Sequence, residues 1–141
     1  MNYQLKITLQ DSSPEIWRRI IVPATITLDR LHDVIQIVMG WMDSHLYEFK
    51  IGKKRYLGEL DDFVDEENSL LTEDFRLNDL IKKTGRTFQY IYDYGDDWIH
   101  DIVLEKTISD DINIEQPVYC TGGENACPPE DVGGIDGYKV F

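Results

Sequence analysis

The sequence predicts an α+β fold in which a mainly antiparallel sheet is built from hairpins. Three observations predict this class. Stretches of alternating polar and apolar residues come in neighbouring pairs, short turn-forming segments join the members of each pair, and one long stretch repeats its apolar residues at a helical period. The predicted order is ββα-ββ-α-ββ, followed by a long irregular C-terminal loop. Strands that follow one another directly favour an α+β fold over a sheet of βαβ units.

The first hairpin and the long helix come from the N-terminal part of the chain. Alternating residues over 3–9 and a β-branched run over 16–22 predict two strands joined by a short turn. Thr27 is suited to cap a helix that continues to about Met39, and Gly40 is suited to end it. One stripe of this helix carries Leu28, Leu31, Val34, Ile35, Val38 and Met42.

The middle of the chain predicts a second hairpin, an acidic segment and a short helix. Residues 45–51 alternate and turn at Gly52 into a strand over 54–57. Residues 59–74 hold eight acids and no base, which is typical of a solvated loop or of a surface for a basic partner or a cation. The short helix is expected around 77–81.

The clearest hairpin covers 87–108, with a two-residue turn at Gly95 and Asp96, because glycine accepts a positive φ without a steric penalty. In that register Asp93 lies diagonal to His100. A carboxylate there can fix the tautomer of the imidazole and raise its pKa, as acid–base sites and the outer shells of metal sites require. The alternative is that Asp93 caps the turn and His100 packs against it. The same register puts on one face Tyr90, Tyr92, Tyr94, Asp97, Ile99 and Asp101.

A long irregular loop is predicted over 117–137, which contains five of the ten glycines and three of the five prolines. Two prolines precede Glu130 and Asp131, and this arrangement is suited to present two carboxylates from a rigid turn. Cys120 and Cys127 are expected to be free thiols in a reducing compartment, with a disulfide across this short loop as the alternative.

Length and composition indicate one domain over 1–141. The chain has 141 residues, 42% of them hydrophobic, and a formal net charge of −13. Residues 1–58 hold eight Lys and Arg against six Asp and Glu, while residues 59–141 hold six against 21. This acidity argues against a nucleic-acid partner, most firmly for the second part. No stretch approaches the roughly 20 apolar residues of a membrane span, and no signal-peptide pattern is present, so a cytoplasmic protein is expected.

Two functions fit these features. The leading interpretation is a non-enzymatic binding module for an unknown protein partner, without a cofactor. It rests on the tyrosine, tryptophan, aspartate and histidine side chains that gather on hairpin 88–105 and loop 117–137, while the motifs of well-marked phosphate, dinucleotide and hydrolase sites are absent. The candidate binding residues are Asp93, Asp96, Trp98, His100, Glu130 and Asp131. The alternative is a metal-dependent hydrolase or nuclease, in which a divalent metal is held by His32, His45 and His100 with nearby carboxylates.

Several strings, taken together, carry a resemblance to a known family. They are IWRRIIVP (16–23), LDRLHDVIQIVMGW (28–41), HLYEFKIG (45–52), YDYGDDWIH (92–100) and CPPEDVGGIDGY (127–138). In this order and spacing they resemble the plasmid pRiA ORF-three-like family, whose members are also described as insertion-element passenger TnpR-type proteins. The resemblance covers nearly the whole chain.

The resemblance implies a small intracellular α+β protein, often encoded near plasmids or mobile elements, and brings no established activity. Recombination is not carried over, since the chain has neither a serine-recombinase pattern nor a basic DNA-binding tail. Members of that family usually continue past the final Gly-Tyr into a further helical segment, whereas this chain stops at Phe141. A truncated or a naturally short member is therefore expected.

Overall fold

The computed structural model describes residues 1–58, 70–109, 119–125, 127 and 134. The strands are β1 (Asn2–Leu9), β2 (Trp17–Pro23), β3 (Tyr47–Ile51), β4 (Lys54–Leu57), β5 (Leu70–Leu71), β6 (Thr87–Tyr92), β7 (Trp98–Ile108) and β8 (Tyr119–Glu124). The helices are α1 (Leu28–Met39) and α2 (Leu77–Leu80), and a short 3₁₀ turn covers Thr72–Asp74. Neither helix of this part of the chain has the length and apolar character needed to cross a lipid bilayer.

The eight strands form a single sheet in the order β5-β4-β3-β6-β7-β1-β2-β8. Each neighbouring pair is antiparallel except β4 and β5, which are parallel. The order in the sheet differs from the order in the chain, because β7 lies between β6 and β1. The long strand β7 therefore joins the N-terminal hairpin to the group formed by β3, β4 and β6.

The predicted fold class is wrong. Strands take up 47% of the described residues and helices 19%, and the strands lie in one mixed sheet rather than in an α+β arrangement of antiparallel hairpins. Two strands were missed, because β5 has only two residues within the acidic segment 59–74 and β8 lies in the stretch predicted to be irregular. The second helix, with four residues, is too short to form a layer.

Strand β8 contains two glycines, which led the sequence analysis to predict a loop. In the structure these glycines make room for side chains of β2. A Cβ added at Gly123 would lie 2.7 Å from Cδ of Arg18, and one at Gly122 would lie 3.4 Å from the Trp17 ring. Because the side chains of β2 cross directly over β8, these positions favour glycine within a strand. The glycines of β8 allow the side chains of β2 to approach its backbone closely. A prediction that treats glycine only as a residue that interrupts strands therefore misses β8.

Helix α1 ends as predicted at Gly40, whose φ is 84° and whose N–H donates to the carbonyl of Gln36 at 3.0 Å. Its buried side differs from the predicted apolar stripe, since Met42 is 75% exposed while His32 and Gln36 are buried. The buried residues of the helix are Leu28, Leu31, His32, Ile35, Gln36 and Met39. Two polar side chains therefore face the hydrophobic core, where they need hydrogen-bond partners.

The pairing of β6 with β7 differs by one residue from the predicted register. Tyr90 faces His100 and Tyr92 faces Trp98, so these four aromatic and imidazole side chains share one face of the sheet. All four are fully buried. A one-residue slip moves every side chain to the other face of the sheet. The prediction that Tyr90 and Tyr92 share a face with Ile99 is therefore wrong.

The predicted two-residue turn is wrong, which explains the slip in register. The connection runs from Asp93 to Asp97, and both aspartates adopt a positive φ, of 64° and 53° respectively. The N–H of Asp97 donates to the carbonyl of Asp93 at 2.6 Å. A positive φ was predicted at Gly95, whereas Asp93 and Asp97 adopt it in the structure.

Candidate functional site

The candidate site lies where the loop that follows α1 meets the turn between β6 and β7. The loop, residues 41–47, runs from the end of α1 to the first residue of β3. Two hydrogen bonds attach it to the sheet: the N–H of Asp93 donates to the carbonyl of Leu46 at 2.9 Å, and the N–H of Ser44 donates to the hydroxyl of Tyr92 at 2.8 Å. The loop is thus held in place by β6 and by the turn after it.

Four hydrogen bonds form a closed circuit that begins and ends at Asp43, and we call this circuit the Asp43 ring. The N–H of Asp43 donates to Oε1 of Gln36 at 2.7 Å, and Nε2 of Gln36 donates to Oη of Tyr90 at 2.8 Å. Oη of Tyr90 lies 2.6 Å from Nδ1 of His32, and Nε2 of His32 lies 2.8 Å from Oδ1 of Asp43. The ring links α1, the 41–47 loop and β6.

The direction of each bond in the Asp43 ring follows from the first one. A backbone N–H can only donate, so Gln36 accepts through Oε1 and donates through its amide nitrogen. The Tyr90 hydroxyl, which accepts this bond, gives its own hydrogen to Nδ1 of His32. His32 therefore carries its hydrogen on Nε2 and donates it to the carboxylate of Asp43. Every member is satisfied, and chains of this kind strengthen one another in a buried setting.

Burial keeps the Tyr90 hydroxyl, which takes part in two bonds of the Asp43 ring, protonated. The pKa of Tyr90 is raised well above its usual value, chiefly by burial, although the bond from Gln36 acts in the opposite direction. The neighbouring Tyr47 stacks on His32 with ring centroids 3.6 Å apart and an interplanar angle of 4°. Burial is also the main cause that raises the pKa of Tyr47 to about 12. Both phenols therefore act as neutral hydrogen-bond partners near neutral pH.

A second buried group supports the loop from beneath. Nε1 of Trp41 donates to Nε2 of His100 at 3.1 Å, which leaves Nδ1 of His100 to donate to the carbonyl of Tyr90 at 3.1 Å. The Trp41 ring also stacks on Trp98 with centroids 5.1 Å apart. Burial lowers the pKa of His100 to about 4, so the expectation of a raised pKa at this residue is not met. His100 serves as a neutral structural partner of Trp41.

Asp93 contacts His45 in the structure. Oδ2 of Asp93 lies 3.5 Å from Nε2 of His45, while Oδ1 accepts the N–H groups of Gly95 at 3.0 Å and of Asp96 at 3.4 Å. This carboxylate therefore caps the turn, in agreement with the simpler of the two sequence interpretations. The backbone of Gly134 lies against the same turn, since a Cβ there would come within 2.5 Å of the carbonyl oxygen of Asp96.

A cleft of about 300 Å³ opens beside the loop, lined by Asp43, Ser44, His45, Leu46, Tyr47 and Gly58. Gly58 is required by its close approach to Tyr47, because an added Cβ would lie 2.3 Å from Cε1 of that ring. The lining is mostly polar and includes one carboxylate and one imidazole. Such a cleft is suited to bind a small group of a partner rather than a large apolar ligand.

Exposed apolar side chains belong to the loop that lines this cleft and to the turn bonded to that loop. The described residues expose five large hydrophobic side chains, and three of these belong to the 41–47 loop and the adjoining turn: Met42 at 75%, Leu46 at 38% and Tyr94 at 40%. The Tyr94 hydroxyl donates to the carbonyl of Tyr47 at 3.4 Å, which ties the turn to the loop. We call Met42, Leu46 and Tyr94 the loop patch.

The structure distributes the sequence-predicted binding residues unevenly. Asp93 and the half-buried Asp96 lie in the turn at the cleft, whereas Trp98 and His100 are fully buried beneath it. Glu130 and Asp131 lie outside the described residues, as does most of loop 117–137. Of the described cysteines, Cys120 and Cys127 are free thiols.

The three histidines proposed as metal ligands surround the same aromatic cluster but do not point to one position. His100 uses both ring nitrogens in hydrogen bonds, and His45 contacts Asp93. Among the described residues, the group whose ligand atoms lie close enough to hold a metal is His32 with Asp33 and Asp43.

Sequence reasoning missed Gln36, Asp43 and Tyr90 as members of the site. A signal was present: His32 and Gln36 are four residues apart, so they lie on the same side of a helix. Two polar residues next to an apolar stripe indicate a buried polar network when a tyrosine of the sheet faces them. The one-residue error in register hid Tyr90 from this interpretation.

One comparison with known proteins gives the family, and the relatives found by the other two have no described activity. A family model described as plasmid pRiA4b ORF-3-like protein matches residues 1–141. The uncharacterized protein y4hQ of Sinorhizobium fredii is 40% identical over 139 residues, which cover 98% of this chain and 70% of that protein. The crystal structure of MM3350, a protein of unknown function from Methanosarcina mazei Go1, superposes with a TM-score of 0.87 at 35% identity and covers 99% of this chain and 78% of that one.

Proposed function

The chain belongs to the plasmid pRiA4b ORF-3-like protein family, and from this premise and the geometry of the site we propose that it is a binding module for another protein. The observation that carries the proposal is the loop patch, whose exposed side chains belong to the loop that lines the cleft and to the turn bonded to that loop. Exposed apolar side chains that are grouped and edged by polar residues are typical of protein interaction sites. Neither of the matched relatives has an activity in its description that would favour an enzyme.

The charge around the loop patch indicates the kind of partner. The Asp43 side chain is 59% exposed beside Met42, and Asp97, which ends the neighbouring turn, is exposed as well. A partner with an apolar anchor and a basic side chain would complement both features. The net charge of −13 favours association with a basic protein surface through long-range attraction.

The Asp43 ring supports binding because it holds the loop in one conformation before a partner arrives. Asp43 has a φ of 53°, which is unfavourable for a residue other than glycine, and the ring keeps it there from both its backbone and its side chain. A loop that is ordered in advance loses less conformational entropy on binding. The buried residues of the site thus position the exposed ones.

A metal-dependent hydrolase has less support from the described residues. His100 is buried and engaged at both nitrogens, so it would have to leave Trp41 to bind an ion. Asp93 uses one carboxylate oxygen to cap the turn. The binding module requires neither of these contacts to break.

Site-specific photocrosslinking tests the proposal. A photoreactive phenylalanine at position 46, produced in cells of the source organism, is expected to give a discrete crosslinked protein, because this position lies within the loop patch. The matched control is the same residue at Thr107, which is exposed near the far end of β7. Identical products at both positions, or no product at position 46, would count against the proposal.

The captured protein then provides a quantitative measurement. We expect purified wild-type chain to bind it, and Met42→Asp to weaken binding by about tenfold or more, because an exposed apolar anchor is replaced by a charge. Met42 is 75% exposed, so the substitution should leave the fold intact. Wild-type affinity in Met42→Asp would show that the captured protein binds elsewhere.

A further inference from the structure

We propose that His32, Asp33 and Asp43 form a binding site for a divalent cation between the middle of α1 and the 41–47 loop. Each of the three residues offers one ligand atom, and these atoms all lie within 4.8 Å of one another. The proposal goes beyond the binding module above, since it needs no protein partner. It also differs from the three-histidine site predicted from the sequence.

The donor set suits a particular class of metal. One imidazole nitrogen and two carboxylate oxygens favour Mn²⁺ or Zn²⁺ over the softer ions that prefer thiolates, and the remaining positions are open to water or to a ligand. Nε2 of His32 and Oδ1 of Asp43 are 2.8 Å apart. Adjacent ligands at about 2.1 Å from a metal are separated by about 3 Å, so these two atoms already have nearly the required spacing.

The surroundings hold the imidazole ligand in place. His32 is 4% exposed, its ring stacks on Tyr47, and its Nδ1 bonds to the Tyr90 hydroxyl. An ordered partner on the second ring nitrogen is characteristic of histidines that bind metals through the first. A cation on Nε2 would require the imidazole hydrogen to move to Nδ1, which would then donate to Oη of Tyr90, so this bond of the Asp43 ring would run in the opposite direction.

The two carboxylates are accessible and, among the described residues, form no ion pair with a lysine or arginine. Asp33 is exposed, and the Asp43 side chain is 59% exposed, so both can turn towards an ion without disturbing the core. Within residues 1–58 and 70–109, no lysine or arginine forms an ion pair with either carboxylate. Together with Asp29, both carboxylates lie near enough to raise the pKa of Tyr47. A divalent cation would offset this concentration of negative charge.

Titration with Mn²⁺, followed by the loss of the electron paramagnetic resonance signal of the free ion, tests the site in the full chain after treatment with a chelator. We expect one Mn²⁺ per chain, displaced by Zn²⁺. Asp33→Asn and Asp43→Asn should each weaken binding by about tenfold or more. In Asp43→Asn the amide oxygen can still accept the bond from His32, so the Asp43 ring is retained. The control is Asp79→Asn, an exposed aspartate on α2, which should bind as the wild type does.

Two results would overturn the proposal. One is a wild-type chain that takes up neither Mn²⁺ nor Zn²⁺ at millimolar concentration. The other is binding that persists unchanged in Asp33→Asn, a variant whose side chain lies on the surface and has no role in the fold. Neither result bears on the protein partner, because the photocrosslinking experiment depends on Leu46 and Met42.

Discussion

Replacing Tyr90 with phenylalanine is expected to lower the free energy of unfolding by about 2–4 kcal/mol, because it leaves two buried polar atoms without partners. The substitution removes only the hydroxyl, which accepts a bond from Gln36 and lies 2.6 Å from Nδ1 of His32. Both of those residues are buried, at 4% exposure each, so water cannot readily replace the lost bonds. Chemical denaturation monitored by tryptophan fluorescence measures the change.

Tyr94→Phe is the matched control for this substitution. Tyr94 donates to the carbonyl of Tyr47 and also bonds to the side chain of Arg55, but it is 40% exposed, so water can replace these bonds. Their loss should change the free energy of unfolding by no more than about 0.5 kcal/mol. If Tyr90→Phe proved as stable as Tyr94→Phe, the Asp43 ring would have no structural importance and the preorganised loop would lose its support.

The second large effect concerns pH. His100 is fully buried, and its pKa in the folded chain is lowered to about 4, mainly by burial and against the bond to the Tyr90 carbonyl. In the unfolded chain a histidine has a pKa of about 6.5. Because the unfolded state takes up a proton first, the contribution of His100 is complete above pH 6.5 and is lost as the pH falls towards 4. The loss amounts to about 3 kcal/mol.

The bond from Trp41 opposes protonation of His100 in the same direction as burial. A proton added to Nε2 of His100 would face the N–H of Trp41, so two donors would meet in a buried space. Denaturation between pH 7.5 and 4 should therefore show a steeper decline for the wild type than for His100→Gln, whose amide oxygen can accept from Trp41 at every pH. Parallel curves for the two chains would mean that His100 does not titrate as inferred.

Local segments were predicted well, and their assembly was not. Helix α1 begins after Thr27 and ends before Gly40 as predicted, although the Thr27 side chain makes no capping hydrogen bond. Six strands match predicted segments to within one residue at their outer ends or lie inside them: β1, β2, β3, β4, β6 and β7. These properties depend on neighbours in the chain. The fold class failed because it depends on long-range pairing: β7 lies next to β1, and β8 lies next to β2. Neither of these strand pairings can be predicted from the local pattern of polar and apolar residues.

The site was predicted in part for a similar reason. The sequence indicated a turn after Asp93, and the family resemblance is confirmed by the match over residues 1–141. The role of the three histidines stays a prediction. The pairing of Asp93 with His100 depended on a register that one extra turn residue can change. The Asp43 ring combines residues 32, 36, 43 and 90, and only the folded chain brings the last of these to the others.

The central position of β7 has a consequence for biosynthesis. Strand β1 pairs with β7, with Asn2 opposite Ile108 and Leu9 opposite His100. The ribosome must therefore add nearly 100 residues after β1 before β7 is complete. The β1–β2 hairpin and the β3–β4–β6 group can each form earlier, but their inner edges stay open on the ribosome. At typical elongation rates the interval from the end of β2 to the end of β7 is on the order of ten seconds. During that time these edges are exposed to other nascent chains, and chaperone demand should be greatest just before β7 emerges.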